Sequence, residues 1–280
     1  MLRVRVGASA QSRAITKVHC SLQDPSLDYD IINSKGGKGW DATWHSHGPD
    51  DKPLPESISI LEIDETYVFI SNSVPPGLTE RWTMKLRAKM IPHTEDTLFE
   101  YGLMVAGRAK LYIDGRLVID NWIRQRRGVS FFRTGTEEER GKFLLKKCVA
   151  HELYLEFNNV RGPANGDEDE NISPGGPGVR LGGCAVTDND QEIEKAVSFA
   201  KSADIAVVVV GLNADWETEG NDRTTLKLPG RTDELVTKVA AANPKTIVVT
   251  QAVSSTIQVD RHGLFSVLVA GPRYRDALGG

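Results

Sequence analysis

One change of pattern divides this 280-residue sequence and constrains its fold more than any other feature. Between about residues 38 and 186, apolar and polar residues alternate in short runs separated by turn residues, which is typical of antiparallel strands. After about residue 187, apolar residues recur with helical spacing and then form short continuous runs. The sequence therefore predicts two domains: a β-sandwich, followed by a partial α/β sandwich with parallel strands.

The first region carries strand and hairpin signals. The segments ERWTMKLRAKMI and HELYLEFNNV alternate polar and apolar residues, and GVRLGGCAV continues the pattern. In AKLYIDGRLVIDNW, the pair Asp114-Gly115 separates two strand-like arms, which predicts a two-residue hairpin turn. The stretch from Gly162 to Gly178 is rich in Gly, Pro and Asp and predicts a surface loop. Short strands at this spacing favour a β-sandwich or a barrel.

The second region begins with a helix and a buried strand. Apolar residues between Ile193 and Ala200 fall on one helical stripe, and Asp188 or Asp190 could supply the N-cap. IAVVVVGL then predicts a strand buried on both faces, as in parallel sheets. A second helix with Thr232 as its N-cap and the strand KTIVVTQ complete a β-α-β unit. GLFSVLVAG is a candidate for one more strand.

Composition excludes several classes of partner. The net charge is −4 and no basic block occurs, so nothing favours nucleic acid. No apolar run approaches the roughly 20 residues of a membrane span, which predicts no membrane partner. The N-terminus has no apolar core of a secretory signal, so we expect a cytoplasmic location or leave it unassigned. Three cysteines lie far apart in the chain and form no metal-binding spacing.

Acidic residues crowd the end of the buried strand. The segment NADWETEGNDR, residues 213–223, directly follows IAVVVVGL. Ligands of open α/β sheets bind outside the carboxyl ends of the strands. A glutamate at such a place could act as a general acid if partial burial raises its pKa towards neutrality. A solvated surface loop is the alternative that composition alone favours.

Two sets of motifs resemble known domains. Residues 187–251, above all the string E-x-E-G-x-D-R followed by L-P-G, resemble the C-terminal α/β-sandwich domain of glycoside hydrolase family 3, in particular of fungal and bacterial β-glucosidases. LYIDGRLVIDNW, RRGVSFFRTGT and RLGG resemble the protective-antigen-type β-sandwich, or PA-fourteen domain, that a subset of these enzymes carries as an insert. The resemblance implies an insert over 31–187 and a partial α/β domain over 188–280, and it ends after Gln251. Residues 1–30 stay unassigned.

The resemblance implies retaining hydrolysis of terminal β-glucosyl residues, with β-glucosides or oligosaccharides as ligands and no cofactor. Retaining enzymes need two carboxyl groups roughly 5–5.5 Å apart. In this family the nucleophile is an aspartate on an N-terminal (β/α)₈ barrel, and the acid/base is a glutamate of the α/β domain. The match places that glutamate at Glu219, with Glu217 as the alternative. Asp222 and Arg223 are expected to hold the loop in shape, and Gly220 to adopt a φ that other residues resist.

The sequence departs from the family in what precedes the match. It shows no (β/α)₈ barrel pattern, and the first strand of the α/β domain is also absent before the insert. We therefore expect the isolated chain to lack the nucleophile and to be inactive. Two alternatives remain open: a non-catalytic carbohydrate-binding module, and an inactive truncated gene product.

The insert contributes candidate sugar contacts. In these β-glucosidases it lies over the active-site mouth, so Phe131 and Phe132 are candidates for contact with a leaving-group sugar, and core packing in a strand is the alternative. Asp50-Asp51 resembles the aspartate pair that holds calcium in related yeast adhesins, but an exposed turn is favoured. His45 and His47 have alternate spacing without a third ligand nearby, so the sequence predicts no metal site.

Overall fold

The computed structural model describes residues 6–7, 29–69, 74–128, 130–160, 176–212, 227–251 and 265–269. The chain forms two compact units: the sandwich unit, Val18–Val186, and the α/β unit, which combines Met1–Lys17 with Thr187–Gly280. The junction at residues 186–187 coincides with the predicted change of pattern. Of residues 1–30, which the sequence left unassigned, Val6 and Gly7 belong to the α/β unit, and Tyr29 and Asp30 belong to the sandwich unit.

The elements below are numbered in chain order within the described residues. The strands are β1 (Val6–Gly7), β2 (Tyr29–Ile32), β3 (Trp40–Ser46), β4 (Ser59–Ile63), β5 (Tyr67–Phe69), β6 (Trp82–Pro92), β7 (Thr97–Ala106), β8 (Arg108–Ile113), β9 (Arg116–Asn121), β10 (Glu139–Leu145), β11 (His151–Asn158), β12 (Gly178–Ala185), β13 (Ala206–Gly211), β14 (Thr246–Gln251) and β15 (Phe265–Val269). The helices are α1 (Ser130–Arg133), α2 (Asn189–Ser202) and α3 (Thr232–Ala242).

The sandwich unit consists of two antiparallel sheets around one core. One sheet has seven strands in the order β4-β3-β6-β11-β8-β9, with β2 also paired to β6, and the other has the order β10-β7-β12-β5. Strand β6 shows why they form: Met84, Leu86 and Met90 are fully buried, whereas Arg87 and Lys89 between them are exposed. This alternation places one face of the strand in the core, as the sequence predicted. The core takes large side chains from both sheets, including Trp40 and Phe157 of the first and Phe99, Tyr101 and Leu103 of the second.

The predicted hairpin is confirmed between β8 and β9. Ile113 pairs with Arg116, so only Asp114 and Gly115 form the turn. Both have positive φ, 50° and 75°, as the hairpin turn that matches strand twist requires. The Asp114 side chain also accepts a hydrogen bond from His151 Nδ1 at 2.7 Å and one from the Glu152 backbone N–H at 2.8 Å. The turn is therefore fastened to the neighbouring strand β11.

The α/β unit contains a parallel sheet of four strands in the order β1-β13-β14-β15. Val6 pairs with Val208 and Gly7 with Val209, so a first strand is present before the insert. The expectation that this strand is absent was wrong, because a two-residue strand carries no periodic signal. The sandwich unit is thus inserted into the crossover that links β1 to α2 and β13. The candidate strand in GLFSVLVAG is confirmed as β15.

The parallel sheet is covered on one face only within the described residues. Buried residues of α2 and α3, such as Ile193 and Val239, share one cluster with Val208 of β13. Val207 and Val209 point to the opposite face and are 40% and 46% exposed. The prediction that this strand is buried on both faces was wrong. Both helices lie on the same side, so a continuous run of valines does not here indicate two covered faces.

The helix ends follow the sequence in two of three cases. Asp188 caps α2, since its side chain accepts hydrogen bonds from the backbone N–H groups of Asp190 and Gln191. Asn243 ends α3 before Pro244, as expected. Thr232 is not the N-cap of α3, because Arg231 occupies that position and the Thr232 hydroxyl donates back to the Pro229 carbonyl. None of the helices in the described ranges is long and apolar enough to cross a membrane.

Candidate active site

The predicted acid/base segment lies in the sequence between strand β13 and helix α3. Glu217, Glu219, Gly220, Asp222 and Arg223 all fall within residues 213–226, which are outside the described residues. On one side, β13 ends at Gly211, at the carboxyl edge of the parallel sheet. On the other side, the chain is described again from residue 227 and enters α3. Ligands of such sheets bind at the carboxyl edge, and β13 ends there directly before this segment in the chain.

A tight turn leads from this segment into α3. We term residues 228–231 the exit stem. Leu228 packs against the core of the α/β unit, which fixes the start of the stem. Gly230 has a φ of +62°, in the left-handed region that favours glycine. The Thr232 hydroxyl closes the turn by donating to the Pro229 carbonyl at 2.7 Å.

Arg231 connects the stem to two helices. Its Nε and Nη2 donate to the two carboxylate oxygens of Glu234, in the first turn of α3, at 2.7 and 2.8 Å. Its Nη2 also lies 2.6 Å from Oδ1 of Asp190, in the first turn of α2. Hydrogen bonds from Arg231 and then Lys238 lower the pKa of Glu234 to about 2, so that carboxyl is ionised across the physiological range. The hydrogen bonds from Arg231 to Glu234 and then to Asp190 raise the pKa of Arg231 above its ordinary value.

The predicted sugar contacts lie on a short helical turn of the sandwich unit. Phe131 belongs to α1, not to a strand, and its side chain is only 7% exposed. It is clustered with Met104 and Ala106, and its ring centroid is 5.9 Å from that of Tyr67. The side chain of Phe132 is outside the described residues. A sugar contact at either residue stays a prediction, and the burial of Phe131 assigns its ring first to internal packing.

The turn around Phe131 is held in a strained conformation. Phe131 has a φ of +52°, which is uncommon for a bulky residue. Thr134 donates to the Phe131 carbonyl at 2.7 Å, and Ser130 donates to the Thr136 carbonyl at 2.9 Å. A Cβ on Gly178 would lie 2.5 Å from the Phe131 ring, so β12 must present glycine here. Strain that neighbours enforce in this way is often found beside functional surfaces.

The aspartate pair considered for calcium is engaged by protein donors. Asp51 accepts from Arg81 at 2.6 Å and lies 3.1 Å from Nδ1 of His47. These two contacts, that to Arg81 first, lower the pKa of Asp51. Asp50 lies 3.5 Å from the Lys52 ammonium. Groups of three or more metal-ligating side chains were sought only among the described residues, where none occurs.

The two histidines of WHSHG are internal hydrogen-bonding residues. His45 is 6% exposed and its Nδ1 lies 2.9 Å from the Leu54 carbonyl oxygen. His47 is 8% exposed and its Nε2 lies 2.8 Å from the Thr83 hydroxyl. Both rings therefore form hydrogen bonds within the sandwich unit.

Sequence reasoning missed Arg231 and its partner Asp190. The spacing of Arg231 and Glu234 is a helical i, i+3 pair, which is a readable signal. The link from Arg231 to Asp190 spans most of α2 and all of β13, so no local pattern indicates it.

The sequence matches the family described as the glycosyl hydrolase family 3 C-terminal domain over residues 30–271. The chain belongs to this family. The match continues to residue 271, so the expectation that the resemblance ends after Gln251 was wrong. The match also spans the sandwich unit and the α/β unit, as expected of a family 3 domain that contains an insert.

Relatives of this family 3 chain are named as β-glucosidases. "Probable beta-glucosidase J" of Emericella nidulans is 38% identical over 199 residues, which cover 70% of the chain and 23% of that protein. "Probable beta-glucosidase I" of Aspergillus terreus is 33% identical over 252 residues, which cover 88% and 30%. The chain thus spans about a quarter of the length of the curated relatives it matches.

A solved structure supports the same assignment. The Kluyveromyces marxianus β-glucosidase in complex with glucose has a TM-score of 0.66 and 29% identity, and the match covers 85% of this chain and 27% of that chain. A match of this extent includes residues of both units. The resemblance to family 3 β-glucosidases is therefore confirmed.

Proposed function

We propose that the chain supplies the acid/base half of a retaining β-glucosidase, which hydrolyses terminal, non-reducing β-D-glucosyl residues. The observation that carries this proposal is the match of both units to the Kluyveromyces marxianus enzyme, whose structure contains glucose. The family match over residues 30–271 supports it independently. The ligand class is β-glucosides or oligosaccharides.

Glu219 is the proposed acid/base, and Glu217 is the alternative. Its carboxyl group would first protonate the glycosidic oxygen as the leaving group departs, and its carboxylate would then take a proton from the attacking water. Gly220, Asp222 and Arg223 would shape the same loop. The end of β13 directly before this segment, at the carboxyl edge of the parallel sheet, supports the assignment.

We expect the partner carboxylate to come from a part of the protein outside these 280 residues. The nucleophile of a retaining glycosidase attacks the anomeric carbon, and the acid/base alone cannot form the glycosyl-enzyme intermediate. The described residues contain two antiparallel sheets and one open parallel sheet, and none of these forms a (β/α)₈ barrel. We therefore expect the isolated chain to be inactive.

The sandwich unit is the proposed PA-fourteen insert on the leaving-group side. Its two-sheet architecture and its place between β1 and α2 agree with an insert of that type. Phe132 and Phe131 are the proposed contacts with the leaving-group sugar. The strained turn that holds Phe131 supports this choice.

Two assays test the proposal. The isolated chain is first incubated with an aryl β-glucoside, and we expect no release of the phenol. The full chain is then grafted in place of the matching segment of the Kluyveromyces marxianus enzyme. We expect this grafted enzyme to release the phenol, because it combines the acid/base loop with the missing barrel.

Either assay can contradict the proposal. Turnover by the isolated chain would mean that it contains a second carboxylate with the nucleophile's role. A folded grafted enzyme without turnover would contradict the acid/base role, and sugar binding by the isolated chain would then favour the non-catalytic carbohydrate-binding module.

A further inference from the structure

The exit stem is held by both ionic and apolar contacts. Arg231 makes three hydrogen bonds or ion-pair contacts of 2.6 to 2.8 Å, to Glu234 of α3 and to Asp190 of α2. Immediately before it, Gly230 adopts a left-handed φ and Leu228 is seated on the core. The last residues before α3 are thus fixed both through the apolar core and through charge.

The contacts of Arg231 are directional. A guanidinium presents its donors in a rigid planar fork, which matches the two oxygens of Glu234 and leaves Nη2 able to reach Asp190. A lysine at this position would keep the charge but could not reproduce the fork. The arginine therefore fixes the direction in which the chain enters α3, relative to the start of α2.

The contacts of Arg231 determine the position of the exit stem more than they raise the free energy of unfolding. The side chains of Arg231 and Glu234 are 32% and 36% exposed, and that of Asp190 is 72% exposed. Ion pairs so accessible to water contribute little to the free energy of unfolding. The ion pairs of Arg231 with Glu234 and Asp190 therefore act mainly on the position of the exit stem.

We propose that Arg231 is a positioning residue for the acid/base glutamate, acting through the exit stem. The inference rests on the proposed function, because it assigns Arg231 to the segment that carries Glu219. Arg231 itself touches no reacting atom. It fixes one end of the segment that carries the carboxyl group, and small displacements of such groups slow the chemical step.

Hydrogen–deuterium exchange on the full 280-residue chain tests the positional part. We expect peptides covering residues 213–229 to exchange several-fold faster in Arg231→Lys and Arg231→Ala, with little change in peptides of the sandwich unit. Lys238→Ala is the matched control, since it removes another ion pair of Glu234 but leaves the stem contacts in place. Unchanged exchange at residues 213–229 in both Arg231 variants would overturn the inference.

A comparison of leaving groups in the grafted enzyme tests the catalytic part. Activated aryl β-glucosides need little acid assistance, whereas disaccharides need it fully. We expect Arg231→Lys to lower kcat roughly ten- to hundredfold for cellobiose, and much less for dinitrophenyl β-glucoside. A merely structural role would lower both rates equally, and that result would overturn the inference.

The two proposals fail in different ways. If neither Glu219→Gln nor Glu217→Gln lowers the turnover of cellobiose by the grafted enzyme, the proposed function fails whatever the exchange data show. If Glu219→Gln abolishes turnover of cellobiose but Arg231→Lys does not affect it, only the inference fails.

Discussion

At the scale of single residues, Asn243 of the α/β unit uses both ends of its side-chain amide in hydrogen bonds. It is 6% exposed, and its Nδ2 donates to the carbonyls of Ala200 and Ala203 at 2.9 and 2.8 Å. Its Oδ1 accepts from the Lys245 backbone N–H at 2.8 Å. One amide thus joins the end of α2 to the turn that leads from α3 into β14.

Replacing Asn243 tests this role. Asn243→Ala is expected to lower the free energy of unfolding by about 1–3 kcal/mol, because buried carbonyls lose their donor. Asn243→Asp keeps the shape but turns a carboxylate towards two carbonyl oxygens, and should be at least as destabilising. Urea unfolding followed by far-ultraviolet circular dichroism measures both. An Asn243→Asp variant as stable as the parent would contradict the assignment.

Residue roles were predictable where they are local. Asp188 was recognised as a candidate cap because a capping side chain acts on the next two or three residues. The hydrogen bonds from Asn243 to the end of α2, and the ion pair of Arg231 with Asp190, join positions about 40 residues apart. They form only once β13 has brought the two helices together. No spacing in the sequence indicates such contacts.

At the scale of elements, helix α2 depends on its first turn. Asp188 accepts from the backbone N–H groups of Asp190 and Gln191, at 2.9 and 3.4 Å. Apolar residues then recur on one face, and Ile193, Ala196 and Ala200 are buried. Cap and stripe together explain why this segment is a helix.

Substitution of the cap gives a graded prediction. Asp188→Ala should cost about 1 kcal/mol of stability, whereas Asp188→Asn should cost much less because asparagine caps comparably well. The measurement is the urea midpoint of the helical signal in each variant. Equal losses in the two variants would show that charge, and not the capping hydrogen bond, is what matters.

Element types were predictable, but their surroundings were not. Alternation in β6 and the Asp114-Gly115 turn identified strands and a hairpin correctly, since both signals are local. The valine run of β13 was assigned two buried faces, whereas Val207 and Val209 are exposed. Whether a second layer covers a strand depends on elements elsewhere in the protein, which the strand's own composition does not specify.

At the scale of the whole molecule, two cores share no residue. The sandwich cluster is built from strands β2 to β12, and the α/β cluster from α2, α3, β13 and β14. Trp40, Trp44 and Trp82 are buried in the sandwich unit, whereas α2 and α3 supply helical signal from the other unit. The two units therefore have separate spectroscopic reporters.

We expect two unfolding transitions that do not coincide. Trp216 belongs to the α/β unit, so it is first replaced by phenylalanine. Tryptophan fluorescence should then report unfolding of the sandwich unit, and far-ultraviolet circular dichroism should report unfolding of the helices. Asn243→Ala should shift only the helical transition. A single transition that both probes share, and that Asn243→Ala shifts as a whole, would contradict the division into two cores.

The role of Glu219 is decided by the rate of cellobiose hydrolysis in the grafted enzyme, measured for Glu219→Gln and, beside it, for Glu217→Gln. We expect Glu219→Gln to lower kcat by about 10²–10⁴-fold, which is the effect of losing a general acid/base, and Glu217→Gln to retain most of the activity. Azide should restore turnover of an activated aryl β-glucoside in Glu219→Gln, because an added nucleophile needs no general base. A Glu219→Gln enzyme as active as its parent would contradict the claim that this chain supplies the acid/base glutamate at that position.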